Sequence, residues 1–367
     1  MSALPLHLSD LPPVLAEPAG RGVDPWSVPI RDLGLTITGT RLEPIIAELE
    51  SELERLGLTR VRPRCYLSTE WGVPFGTVAM AIPFYLARQE LTEFHARRVG
   101  HVEGMGRADI LRYLRHEMGH VVNYAYRLYE REEWVRLFGS IDEPYPEDEY
   151  RPKPFSRRFV QHLPGWYAQR HPDEDWSETF AVWMTPGLDW RARYRTWPDA
   201  LAKLEYCDRL MAEVRDTDPL VTTVDLDEPV GEIDLSVEEL YRQVTEEEPG
   251  FPLDLDDALW AIFEELETRR EGAPPATLVP AAHLIRRMEG ELLGNTYRWT
   301  GHFPERTRIL VHHLAARAEA LRLACAPEHE AAVTVALTTI VTALAMTYVA
   351  RGAYETDGQT AGRADGR

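Results

Sequence analysis

Cysteine is scarce in this chain of 367 residues: Cys65, Cys207 and Cys325 are odd in number and far apart, and no C-x-x-C pair occurs. That excludes a zinc ribbon or a redox motif built on paired cysteines and points to a reducing compartment. Positive charge is short as well. Lys and Arg number 40 against 60 Asp and Glu, a formal net charge of -20, so general affinity for nucleic acid or an anionic membrane is not expected, because phosphates are repelled before any specific contact forms. The opening "MSALPLHLSDLPPVLAEPAGRG" lacks a basic stretch followed by an apolar run; no signal peptide is read there, and the cytoplasm is expected. Internal repeats and long low-complexity tracts are missing too. One uncharged segment, Ala331 to Ala350, is long enough for a bilayer crossing. It is built from Ala and Thr, with Thr334, Thr338 and Thr342 in a polar line, and reads as a helix buried in a helical domain.

What is present is ordinary for a packed protein: 44% hydrophobic and 27% charged residues, with a length that suits two domains. Residues 1–40, rich in Pro and Gly, read as an extended lead-in. Thr40 and Glu43 form a capping-box pattern ahead of "PIIAELESELERLG". "RVRPRCYLS" and "GTVAMAIPFYL" read as strands of a small sheet, separated by "TEWGVPF". From Gly106 to about Phe138 apolar residues recur at helical spacing, which predicts one long helix. "GSIDEPYPEDEYRPKPFSRR" is a loop long enough to serve as a lid or specificity element. In "HPDEDWSETFAVWMTPG", Pro172 starts a second helix, and Pro186 with Gly187 ends it. The stretch from about Asp216 to Gly250 reads as a linker and the start of a second unit. The expected class is therefore α+β: a mixed domain over 41–215, a mainly helical domain over 216–354 and a disordered tail over 355–367.

The chemistry is expected in "LRHEMGHVVNYAYRLY". Residues four apart share one helix face, so His116 and His120 can present nitrogens to one metal ion, with Glu117 beside them as general base rather than ligand. Gly119 leaves that side of the helix open to close approach by another element. A catalytic zinc takes three protein ligands and leaves a position to water. Glu178 in "SETFA" is the expected third, with Asp175 one turn earlier and Trp176, Phe180 and Trp183 on a separate apolar face. His162, His171 and Asp175 are the rivals, and Asp175 could instead orient a ligand histidine through its other ring nitrogen.

Together "RHEMGH" and "HPDEDWSETFAVW" resemble a bacterial family of zinc-binding metallopeptidases and, more broadly, the gluzincins, over about Arg60 to Met211. The resemblance implies a zincin-like fold, one zinc per chain held by His116, His120 and Glu178, and hydrolysis of a peptide or protein substrate. Two features depart from the pattern. Val182 stands four after Glu178, where thermolysin-like enzymes place an Asp that supports a zinc histidine, and the front of the chain carries no cysteine-rich ribbon. In the expected reaction, zinc lowers the pKa of its water to about 7 and Glu117 carries the proton to the leaving amine. Tyr167, His171 or Tyr194 would help to hold the oxyanion. The strand "GTVAMAIP" could offer its edge to an extended peptide. Arg191, Arg193 and Arg195 read as a solvated charged segment, and His312 and His313 as a poor metal pair. A zinc-scaffold binding or regulatory protein and a non-peptide amide hydrolase are the alternatives; an intact Glu117 favours the peptidase.

Overall fold

Thr40, just outside the first helix, and Glu43, in its first turn, start α1 (Leu42–Arg55). Thr40 Oγ1 accepts the Leu42 N–H at 3.2 Å, and Glu43 Oε2 reaches back to the Gly39 N–H at 2.8 Å, so amides that a helix start leaves orphaned are satisfied locally. The computed structural model describes residues 25–99, 101–145, 152–153, 155–243, 251–252, 255–265 and 278–354. The expected lead-in up to residue 24, the expected tail over 355–367 and part of the expected lid lie outside the described residues.

The strands β1 (Arg64–Ser68) and β2 (Ala79–Pro83) pair in parallel, from Arg64↔Ala79 to Ser68↔Pro83. All five residues of β2 are buried. Its other edge is taken by Gly72, which bridges Ala81 antiparallel and accepts the Ala81 N–H at 2.8 Å. The edge expected of "GTVAMAIP" is thus already covered at that point. Next come α2 (Gln89–Val99) and α3 (Arg107–Ala125). The helix expected to run on to Phe138 stops here, because the Ala125 carbonyl accepts the N–H groups of Leu220 and Val221, at 2.8 and 3.0 Å. Arg127 then turns left-handed, with φ 48°, and α4 (Glu132–Phe138) starts afresh.

Pro172 opens α5 (Pro172–Met184), capped by His171, whose Nδ1 accepts the Asp173 N–H at 3.2 Å. A Cβ on Gly119 of α3 would lie 2.6 Å from the Ser177 Cα of α5, so the missing side chain lets the two helices touch. Trp176 Nε1 donates to the Gly119 carbonyl at 2.9 Å across the same contact. Around it Leu114, Met118, Val121, Trp176 and Phe180 are fully buried with Leu49, Leu53, Met80 and Ile82. The helices α6 (Trp190–Tyr194), α7 (Pro198–Val214) and α8 (Val237–Gln243) complete this half. Residues expected as the linker pack on the first core: the Val78 N–H donates to the Thr223 carbonyl, Tyr66 to the Asp227 carbonyl, and Val237 and Tyr241 are core members. The division between the two cores falls after α8, later than the expected boundary at 215/216.

The second core is built from α9 (Leu255–Ile262), β3 (Glu264–Glu265), β4 (Val279–Pro280), α10 (Ala281–Arg287), α11 (Glu289–Thr300), α12 (Pro304–Ala320), β5 (Leu323–Cys325) and α13 (Glu330–Arg351). Its strands form an antiparallel sheet in the order β3-β5-β4. The burial expected of α13 holds for one face only. Val333, Leu337, Val341 and Ala345 are buried at helical spacing, while Val335 is 67% exposed. By length and composition this helix could cross a membrane. The two halves meet main chain to main chain where a Cβ on Gly301 would lie 2.9 Å from the Gly165 carbonyl oxygen. Among the described residues the architecture is α+β, with a helical majority and two small sheets.

Candidate metal centre

Two turns of α3 and the start of α5 meet in a buried cluster. His116 Nε2 and His120 Nε2 lie 3.3 Å apart, and Glu174 Oε2 is 2.9 Å from the first and 3.4 Å from the second. The outer nitrogens are held from behind: His116 Nδ1 is 3.0 Å from Glu178 Oε1, and His120 Nδ1 is 2.9 Å from Asp173 Oδ2. A carboxylate only accepts, so each Nδ1 carries a hydrogen, and in a metal-binding state each Nε2 would turn a lone pair inward. His116 Nε2, His120 Nε2 and Glu174 Oε2 thus converge on one point, which protons on the rings or a bound cation would fill. His116, His120 and Glu174, with ligand atoms all within 4.8 Å of one another, could hold a metal ion.

The surrounding carboxylates also set the charge of the two rings. Burial alone would lower the basicity of His116, but hydrogen bonds with Glu174 and Glu178 outweigh it and push its pKa up to about 9. The same contest raises His120, and the two imidazoles hold Glu174 well below the usual carboxylate range despite its burial. Positive charge is favoured at the centre. Glu117 lines the same cavity and has no hydrogen-bond partner among the described residues; burial raises its pKa against the pull of both histidines.

Glu178, the expected third ligand, stands one turn after Glu174, the acid that groups with the two histidines as residues that could hold a metal ion. Its carboxylate lies behind His116, on the Nδ1 side, and is saturated there by the N–H groups of His162 at 2.8 Å and Leu163 at 2.9 Å. Asp175 faces away from both histidines and forms a buried ion pair with Lys203. His162 is no ligand either. Its Nε2 donates to the Arg112 carbonyl at 2.9 Å, and burial lowers its pKa to about 4. Tyr194 is excluded as an oxyanion donor, because it packs with Val160, Val182 and Trp190 while its hydroxyl accepts the Gln161 N–H at 3.0 Å. His171 lines the cavity with both nitrogens engaged: Nδ1 caps α5 and Nε2 donates to the Glu143 carbonyl at 2.8 Å. Tyr167 lines it too, its ring 5.4 Å from that of His116. Arg191 pairs with Asp208 at 2.6 Å on the surface, and His312 with Glu289 at 2.9 Å, both outside this cavity.

Sequence reasoning missed Asp173, Glu174 and Tyr145. Asp173 also accepts from Asn123 Nδ2 at 2.6 Å and from the Tyr124 hydroxyl, and Tyr145 donates to Glu174 Oε1 at 2.9 Å. A signal for Glu174 was present, since it stands four before Glu178 and shares its helix face. The cavity above the cluster holds about 380 Å³. Comparison with known proteins returned no match to any family model, curated protein or solved structure.

Proposed function

We propose that this protein is a zinc metallopeptidase of zincin-like fold, acting in the cytoplasm on a peptide or protein substrate with Glu117 as general base. The carrying observation is the meeting of two imidazole nitrogens and one carboxylate oxygen within 3.4 Å, beside a carboxylate with no partner of its own among the described residues. Two imidazoles and one carboxylate suit zinc and leave its fourth position open. With Glu174 as ligand the likeness to the gluzincins improves. The residue four further on becomes Glu178, an acid supporting His116, and Val182 is no longer a departure from the pattern.

A zinc ion held here would supply Lewis acidity and a bound water with a pKa of about 7. Glu117, facing the cavity, takes the proton of the attacking water and delivers it to the leaving amine. Glu178 and Asp173 fix the tautomers and ring orientations of the two histidines. Tyr145 occupies Glu174 Oε1 and leaves Oε2 for the centre. The Tyr167 hydroxyl is the side-chain donor on the wall for developing negative charge. Elemental analysis is expected to give about one zinc per chain. Glu117→Gln should keep that zinc and lose cleavage of a peptide mixture, whereas equal cleavage by both proteins would eliminate the mechanism. Zinc in both and cleavage by neither would mean a zinc-scaffold binding protein or a hydrolase of other amides.

A further inference from the structure

One wall of the cavity takes no part in the chemistry above. Phe75 stands on its rim, 62% exposed, with its ring edge-on to Tyr124 at 5.0 Å and 5.5 Å from Tyr129. Val73 and Ile141 line the same cavity. A phenylalanine left in water at a cavity mouth gains little from folding, and an apolar side chain laid against it would remove that surface from water. Charge at the site is one-sided as well. Glu117, Glu143, Asp173 and Glu174 line the cavity, and no Lys or Arg does among the described residues. Four carboxylates outweigh a divalent ion. Arg170 lies outside the lining, against the rings of Tyr145 and Tyr167, at 5.1 and 5.3 Å from their centroids. An acidic ligand would therefore be repelled at the mouth, and a basic one drawn in.

We propose that the cavity accepts a peptide segment that lays a bulky apolar side chain on Phe75 and carries lysine or arginine next to it. The inference rests on the peptidase reading for the kind of ligand and is independent of whether cleavage follows. Its test uses binding to the full-length, zinc-loaded Glu117→Gln protein, followed by calorimetry. The probes are a short Ala/Gly peptide with one Phe flanked by Lys, the same peptide with Ala for Phe, and the same peptide with Glu for each Lys.

The first peptide should bind about tenfold more tightly than either of the others. The Lys-to-Glu difference should shrink as salt rises from about 0.05 to about 0.5 M, because screening shortens the reach of Glu143, Asp173 and Glu174, the three carboxylates left on the lining of that variant. Phe75→Ala in the same background should bring the first two peptides level, keep the Glu peptide weaker and leave the zinc content unchanged. Equal or absent binding of all three, or an aromatic preference that survives Phe75→Ala, overturns the proposal. The expected ranking without cleavage by the wild type would remove the peptidase reading and leave the recognition surface standing; cleavage without the ranking would do the reverse.

Discussion

Glu174 and Glu178 carry the same group on the same helix face, yet one turn of α5 separates a carboxylate facing both Nε2 atoms from one facing an Nδ1. Their substitutions should differ accordingly. Glu174→Gln removes an inward charged ligand, and zinc should be lost on dialysis. Glu178→Gln keeps an oxygen that can accept the His116 Nδ1 hydrogen but loses its charge, which should weaken zinc binding by about 10- to 100-fold without abolishing it. Competition with a chelator of known affinity reads both, and the opposite ranking would make Glu178 the ligand. Spacing alone does not separate the two acids, because a helix repeats its face every turn. What separates them is the chain at His162 and Leu163, whose amides fill the Glu178 carboxylate from behind. Nothing near "SETFA" announces that neighbour.

At the scale of elements, the contact of α3 with α5 makes a methyl group costly in one helix and harmless in another. Gly119→Ala gains helix propensity of about 1 kcal/mol, but the new Cβ would stand 2.6 Å from the Ser177 Cα, which is backbone and cannot swing aside. The helices must part, at roughly 1–3 kcal/mol of overpacking together with a distorted ligand set. Gly294 in α11 meets nothing within 4 Å, so Gly294→Ala should stabilise by up to about 1 kcal/mol. Thermal melts should move in opposite directions; a rise for both would mean the helices are not in contact at Gly119. The elements themselves were legible where their causes are local, as with Thr40 and Glu43 before α1 or Pro172 at the head of α5. The end of α3 was not, because the amides that take the Ala125 carbonyl come from Leu220 and Val221. Nor was the attachment of residues 216–243 to the first core, which depends on Tyr66, Val78 and other distant partners. The open face of α13 escaped as well, since Val335 on that face is as apolar as the buried Val333.

Across the whole molecule, each core encloses a neutral histidine. His95 stacks on Tyr85 at 3.8 Å with Nδ1 2.5 Å from the Tyr241 hydroxyl, and burial pushes its pKa down to about 3. His302 sits between Thr307 Oγ1 at 2.7 Å and the Tyr354 hydroxyl at 2.9 Å, also pushed down to about 3 by burial. Unfolded histidine titrates near 6.5. Below that pH the unfolded chain takes up protons that the folded one refuses, so the stability present above about pH 6.5 drains away as the pH falls toward 3. On the acid side, the urea midpoint should decline below about pH 6.5. His302→Gln should decline less steeply than the wild type, the difference isolating that imidazole; parallel declines would mean that His302 is charged in the folded state. The seam between the cores has a different effect. Gly165 and Gly301 press backbone on backbone, just ahead of Tyr167 and of Phe303, whose ring lies 5.5 Å from Arg170. The Tyr297 ring stands in the same joint, with a carbon 3.0 Å from where a Cβ on Gly165 would be. A side chain at either glycine would wedge the two halves apart just ahead of the Tyr167 wall.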